Sequence, residues 1–397
     1  MKTLQLVEAA GGGVGRHVID LSEGLLARGH EVHLVYSPLR CDQVFTDDLA
    51  RLGGHRGVCA YPLRMERRPC PNDLLAMQSL RRYVKLRGRF DLIHCHSTKA
   101  GLIGRLGLLG TATVRLYTPG GFFTMDPHGS ALSKRGAAVM EAALSRLSDG
   151  VITVSQREYM HAREIGIARS KLAVIPHGVV LNGPSEPSRE RAVLRRRLGM
   201  LDDEVCIGFV GRLVPVKSPR TILESFAAVR NRVRTTAKLI VVGDGPLAQS
   251  LRRLANDLGV GANVTWLGEG DAKCLMKAFD VLALTSDSEA GPLVVLEAMA
   301  RGLPIVATRV GGISETVQHG VNGFIAPVRG VQEIATALET LVSNPALRQQ
   351  MGQASLTLSR NFSVDRMVDQ TVALYEQVIS GRPVVAPSQD LKAAATR

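Results

Sequence analysis

Aromatic residues are scarce in this chain. Phe, Trp and Tyr make up 4% of its 397 residues, and there is a single Trp. A protein that reads single strands by stacking bases draws on more than that, and no helix-turn-helix, zinc or RRM pattern is present. Long apolar runs are missing too, and none approaches the ~20 residues that cross a bilayer as a helix. The N-terminal Met1–Glu8 stretch meets an acid before a signal-peptide core can form. The six cysteines, at positions 41, 59, 70, 95, 206 and 274, are scattered without a Cys-x-x-Cys pair. That spacing argues against a disulfide scaffold or a zinc ribbon and suits a reducing cytoplasm.

Positive charge is plentiful. The formal net charge is +13, and basic residues gather in the N-terminal half, at Arg64 to Arg68 and Arg81 to Arg89. Such a surface favours anionic partners. Anionic lipid headgroups or a lipid-pyrophosphate acceptor fit this charge, and so does nucleic acid, which the scarcity of aromatics disfavours. The bland alternative is a solvated basic face.

The length suffices for two domains with sizeable cores. Apolar runs at Leu4–Glu8, Glu31–Tyr36, Phe90–His94, Thr113–Tyr117, Gly150–Val154 and Lys171–Ile175 read as strands, with an amphipathic helix over Val14–Ala27. A Pro-, Ser- and Gly-rich stretch at Asn182–Ser188 reads as a linker. After a basic helix at Arg189–Leu198 the alternation restarts, with strands at Val205–Val210, Ala237–Val242, Asn263–Leu267, Val281–Thr285, Leu303–Ala307 and near Phe324. Continuous apolar strands between helices predict parallel sheets covered on both faces. A final helix starts at Ser363 and runs to about Ile379, ahead of an Ala-, Pro- and Ser-rich tail expected to be disordered.

The stretch Ser288–Ala300 follows the Val281–Thr285 run. Gly291 and Pro292 are expected to open a helix, with Pro292 at the first helical position and the free N–H groups of that turn forming an anion site. Glu289 and Glu297 flank it, eight positions apart. Gly208–Lys217 carries Arg212 and Lys217 after a strand that ends in Gly211. Arg offers a planar fork to phosphate oxygens and Lys a point charge. Val241–Leu247 is a further strand, Gly243 turn and helix start. A Gly-rich loop, Gly11–Gly15, follows the first strand but lacks the third glycine of a dinucleotide fingerprint. Tyr36-Ser37-Pro38 stands where that fingerprint needs a ribose-binding acid.

The Glu289–Glu297 element, followed by Ala298-Met299-Ala300, and the Gly211-Arg212…Lys217 motif resemble the signature of the retaining family 4 glycosyltransferases. The resemblance spans about residues 1 to 380. It implies an α/β protein of the GT-B fold, with two Rossmann-like doubly wound domains facing an interdomain cleft. Residues 1–182 would form the acceptor-side domain and 189–362 the nucleotide-sugar domain. Residues 363–380 would be a helix crossing back to the first domain, and 381–397 a disordered tail.

The implied activity is transfer of a hexose-type sugar from a nucleoside-diphosphate-sugar, with uridine as the usual base. The acceptor would be a hydroxyl of a glycan or lipid-linked molecule in surface-polysaccharide synthesis, as in lipopolysaccharide or capsule. In this reading Arg212 and Lys217 neutralise the departing diphosphate. Glu297 takes the ribose hydroxyls, and Glu289 binds the donor sugar. Gly211, Gly243, Gly291, Pro292, Leu293 and Gly13 line the donor site. Thr265–Gly268 resembles the segment beside the nucleobase, and Val310–Glu315 a loop near the end of the site. Gly15, Gly120 and Gly121 fall on the acceptor or cleft side. So does His96, with His94 and His96 expected on opposite faces of their strand, one of them in the core. No cofactor or metal is expected. The enzyme would be cytoplasmic, with peripheral contact to an anionic inner membrane.

One departure stands out. Many members carry a His after the strand ending in Thr-Pro, and here Gly120 follows Thr118-Pro119. Backbone N–H groups of Gly120 and Gly121 are expected to replace some of its contacts. His177, in Ile175–Val179, stands where Asn is usual and reads as a hinge, a cleft residue or a structural histidine. Gly120 motivates one alternative, a nucleotide-binding peripheral membrane or scaffold protein without transfer; a nucleotide-sugar epimerase of the same fold is a second, disfavoured because its usual paired carboxylates and His are not found.

Overall fold

Both strand sets form parallel sheets, as runs apolar on both faces require. In the computed structural model, which describes residues 1–181, 189–201, 203–230, 232 and 236–384, the chain divides into two units. The first comprises Met1–Gly178 and Val364–Arg397, the second Val179–Ser363.

The first unit contains β1 (Lys2–Val7), β2 (Glu31–Tyr36), β3 (Val58–Pro62), β4 (Leu92–His96), β5 (Val114–Thr118), β6 (Gly150–Thr153) and β7 (Leu172–Val174). Their order is β3-β2-β1-β4-β5-β6-β7. Val7 at the end of β1 pairs with Tyr36 on one side and His96 on the other. The strand order therefore reverses direction at β1 and β4, which is where an open α/β sheet leaves a ligand crevice. β3 is absent from the sequence expectations because Val58–Pro62 is a half-exposed edge strand and carries no continuous apolar run.

The helix Val364–Ile379 belongs to this unit and packs on the helix Gly12–Ala27. A Cβ on Gly24 would stand 2.4 Å from Val368 Cγ2, so only glycine permits this approach. Arg28 Nη2 closes the contact on Asp369 at 2.6 Å. Residue 384 also belongs to this core, because Val384 is buried against Leu116 and Ile152. The rest of the expected tail, 385–397, and the expected linker 182–188 lie outside the described residues. The unit boundary falls at Gly178–Val179, a few residues ahead of that linker. Val179 N–H donates to Phe362 O at 2.7 Å and the residue bridges to Ser363, which ties it to the second unit.

The second unit contains β8 (Val205–Val210), β9 (Ala237–Val242), β10 (Val264–Gly268), β11 (Val281–Leu284), β12 (Ile305–Thr308) and β13 (Gly323–Ala326). Their order is β10-β9-β8-β11-β12-β13. Phe209 of β8 pairs with Val241 on one side and Ala283 on the other, so this sheet reverses at β8 and β11. Ile207, Phe209, Leu239, Val241, Val281 and Ala283 line one core of this unit. Cys206, Ile240, Leu282, Leu284, Val295 and Met299 line the core on the other face.

Candidate active site

The reversal at β8 and β11 brings together two loops far apart in sequence. The loop after β8 holds Arg212 and Lys217, and the loop after β11 holds Ser286 to Pro292. Lys217 Nζ donates to Glu289 Oε1 at 2.5 Å across 72 positions, and Ser286 Oγ donates to the same oxygen at 2.6 Å. The Lys217 side chain is a quarter exposed and that of Glu289 9% exposed. The carboxylate is thus fixed by two donors, while the ammonium keeps further N–H groups for an anionic ligand. The backbone below is closely fitted. Gly311 has φ +49, and a Cβ there would stand 1.7 Å from Glu289 O. Ser218, just after Lys217, holds a left-handed φ of 46, and Thr285 Oγ1 donates to its carbonyl at 3.0 Å.

Gly211 and Gly243 also meet. Gly211 N–H donates to Val242 O at 3.0 Å, and a Cβ on Gly243 would lie 2.1 Å from Gly211 O. Gly243 N–H donates to Gly268 O at 2.7 Å, which draws in the end of β10. Above these turns is a recess of about 400 Å³ lined by Arg212, Val214, Asp244, Gly245, Pro246 and Glu269. The stretch expected beside a nucleobase, Thr265–Gly268, ends at this recess.

Glu297 is nearly buried on the helix Leu293–Met299. Pro292 is the cap of that helix, with extended ψ of 112, and does not occupy the expected first helical position. Its extended backbone makes it the capping residue, whose carbonyl accepts from Val295 N–H at 3.1 Å, and Leu293 takes the first helical position. The Leu293 side chain is buried in the core, so only its backbone is available to a donor. Asp287, unassigned from sequence, accepts from Arg329 Nη2 at 2.6 Å. Neither Ser286 nor Arg329 was singled out from sequence. Ser286 adjoins a motif and was within reach, whereas Arg329, 42 positions beyond Asp287, gives no local signal.

In the first unit the Gly-rich loop is occupied from within. Gly12 N–H donates to Asp42 Oδ2 at 2.7 Å. Gly13 is exposed. A Cβ on Gly15 would come 2.1 Å from Ala10 O, so glycine is required here by packing. Gly120 is exposed with φ +63. The Gly121 N–H is already taken, donating to the buried Glu158 at 2.7 Å, and does not replace a missing histidine contact.

His94 and His96 lie on the same face, with ring centroids 4.0 Å apart. Alternate positions of a strand share a face, so the expectation of opposite faces is corrected. Both are buried, and His96 therefore does not face open space. His96 Nε2 meets Gln5 Oε1 at 2.9 Å, and its Nδ1 has no hydrogen-bond partner among the described residues. His94 contacts Tyr375 OH and Thr118 Oγ1, each at 2.7 Å. His17 stands beside His96, and its Nδ1 lies 3.1 Å from His177 Nδ1. Burial first, and neighbouring imidazoles second, hold His17, His94 and His96 well below the usual histidine range. Burial takes His177 down to about 4. His177 is thus a structural member of this cluster. No group of three or more His, Cys, Asp or Glu among the described residues is placed to hold a metal.

Two parallel sheets, each with its crevice at a strand reversal, and an Arg, Lys and Glu set on the second define a nucleotide-sugar transferase class. Comparison with known proteins agrees. Residues 11–182 match the family described as Glycosyltransferase Family 4, and residues 190–357 match Glycosyl transferases group 1. The D-inositol 3-phosphate glycosyltransferase of Segniliparus rotundus is 31% identical over 310 residues, covering 74% of this chain and 67% of that protein. The N-acetyl-alpha-D-glucosaminyl L-malate synthase of Bacillus anthracis is 27% identical over 381 residues, covering 93% and 94%. Among solved structures, Anabaena Alr3699/HepE in complex with UDP and glucose shares the fold with a TM-score of 0.80 at 23% identity, covering 95% of this chain and 100% of that one. The chain belongs to the family 4 glycosyltransferases and has the GT-B fold.

Proposed function

We propose that the protein transfers a hexose-type sugar, with retention at the anomeric carbon, from a uridine-diphosphate-sugar to an acceptor hydroxyl. The observation that carries this reading is the Lys217–Glu289–Ser286 constellation beside the recess at Arg212. Arg212 and Lys217 stabilise the charge that develops on the diphosphate as the bond from the anomeric carbon to its phosphate oxygen breaks. Glu289 binds donor-sugar hydroxyls and supports positive charge at the anomeric carbon. Glu297 accepts from the ribose hydroxyls. The acceptor oxygen forms the new bond on the face the diphosphate leaves, and its proton passes to a diphosphate oxygen. The reading uses no metal, because the two cations supply the counter-charge. Uridine is supported by the bound UDP of the Anabaena protein.

Two acceptor classes follow. The basic N-terminal half and the family resemblance favour a glycan or lipid-linked acceptor of surface-polysaccharide synthesis. The relatives instead name an inositol phosphate and malate, small anionic hydroxyl compounds. A thermal-shift and hydrolysis screen against nucleotide-sugars identifies the donor. Transfer from that donor is then assayed on D-inositol 3-phosphate, malate and a lipid-pyrophosphate glycan, with the product anomer read by NMR. An inverted anomer, or no turnover of any donor with any acceptor, would overturn the proposal.

A further inference from the structure

The first unit carries, at its own strand reversal, a cluster with the same make-up as the donor site. Glu8 follows the end of β1 and Ser97 the end of β4, the strands at which the sheet reverses. Arg40, in the turn after β2, donates from Nη1 to both oxygens of Glu8, at 2.7 and 3.0 Å. Ser97 Oγ reaches Glu8 Oε2 at 3.5 Å. The Glu8 side chain is 3% exposed and that of Arg40 29%. Lys217, Glu289 and Ser286 repeat the pattern in the second unit: a nearly buried glutamate, a cation a quarter exposed and a serine on the carboxylate.

Two features set this cluster apart from a structural ion pair. A structural pair commonly sets two nitrogens against two oxygens. Here one nitrogen holds both oxygens, while Arg40 Nε and Nη2 have no hydrogen-bond partner among the described residues and neither is buried. Ser97 also holds a left-handed φ of 84. That is strained for a serine, and such strain clusters at ligand sites. Asp42 does not compete for the arginine, because its oxygens accept from the N–H groups of Gly12 and Phe45. A Cβ on Gly11 would stand 3.3 Å from Arg40 O, so the arginine is fixed beside the Gly-rich loop.

We propose that Arg40, oriented by Glu8, binds an anionic group of the acceptor, a phosphate or a carboxylate, through its Nε–Nη2 edge. This rests on the transfer reading above, which gives the second unit's constellation to the donor and leaves this one for the other substrate. The planar fork of an arginine matches two oxygens of a phosphate or carboxylate, whereas a lysine meets them as a point charge. Arg40 thus recognises a group of fixed shape, and Lys217 meets charge that develops as the donor bond breaks. Glu8 holds the guanidinium before the acceptor arrives, so less side-chain freedom is lost on binding.

The test is calorimetric titration of the full chain, first saturated with UDP, with inorganic phosphate, pyrophosphate, malate and D-inositol 3-phosphate. UDP fills the donor site, so the anions report a second one. At least one should bind the wild type, and the order among them separates monophosphate, diphosphate and carboxylate acceptors. R40Q should weaken that binding about tenfold to 100-fold, the usual worth of hydrogen bonds to a charged group. Its UDP affinity should stay within about twofold of wild type. The double variant E8Q/R40Q leaves no buried carboxylate without its cation, and its melting temperature checks the fold. It should bind the anions as weakly as R40Q. R56Q removes an exposed cation ahead of β3, at the opposite edge of the sheet, and should bind as wild type. Recovered anion binding in E8Q/R40Q would overturn the proposal, since Arg40 would then only offset Glu8. So would a UDP-bound wild type that takes up none of the four anions, equal losses in R56Q and R40Q, or a loss of UDP affinity in R40Q, which would move Arg40 to the donor. A wild type that does not bind UDP would sink the transfer reading and the proposal with it, a result told apart because it precedes the anion titrations.

Discussion

At the residue scale, the donor site depends on a few contacts that single substitutions can test. Lys217→Ala removes a cation assigned to the departing diphosphate. Loss of one preorganised electrostatic contact typically costs about 10²–10³ in turnover. The side chain is a quarter exposed, so the melting temperature should stay near wild type. Steady-state donor turnover is the measurement, and unchanged turnover would remove Lys217 from the mechanism. Gly311→Ala acts from below. It places a Cβ against Glu289 O at a left-handed φ, and should cost about 1–3 kcal/mol of stability. It should also lower turnover by moving Glu289, which calorimetry and activity on the same preparation would separate. Glu289, Arg212 and Lys217 were legible because each stands in a local motif. Ser286 adjoins that motif, three positions before Glu289, whereas Arg329 was not legible, since its contact with Asp287 exists only once the fold brings residues 42 positions apart together.

At the element scale, the helix returning from the second unit is held to the first by the Gly24–Val368 contact. Gly24→Ala should destabilise by about 1–3 kcal/mol through overpacking. The same change in a Val368→Ala background should cost less, because the clashing methyls are gone. A double-mutant cycle in denaturant measures the coupling, and additive effects would show that the helices do not meet there. Strands were legible wherever both faces are covered, since a parallel strand then reads as an unbroken apolar run. β3 escaped because an edge strand has one wet face. The pair His94 and His96 shows another limit: period-two geometry puts them on one face, but only the packing of Gln5, His17 and Tyr375 around them explains why that face is polar and buried.

At the scale of the whole molecule, the clustered histidines His17, His94, His96 and His177 tie stability to pH. In the unfolded chain each takes up a proton near pH 6.5. In the fold each stays neutral to lower pH, down to about 4 for His177. The unfolded state therefore binds more protons below about pH 6.5, and stability falls as pH drops through that window and is flat from this source above it. The slope from any one histidine approaches at most about 1.4 kcal/mol per pH unit, where the unfolded ring is protonated and the folded ring neutral. Denaturant midpoints between pH 7.5 and 5 should show the decline, and His177→Asn should reduce it. A midpoint independent of pH would mean that the cluster is charged or open in the fold.

The sequence by itself determined the two parallel sheets and the family, because apolar runs and short Gly, Arg, Lys and Glu motifs are local and survive without coordinates. It also determined the cationic character of the first unit, since net charge needs no geometry. Only the tertiary structure decided that packing requires Gly15 and that the Gly121 N–H is spent on Glu158. The same is true of the clustered histidines and of the Arg40 guanidinium held on Glu8. Each of these depends on what a residue touches across the fold, and burial and contact over long separations are not properties of any stretch of chain.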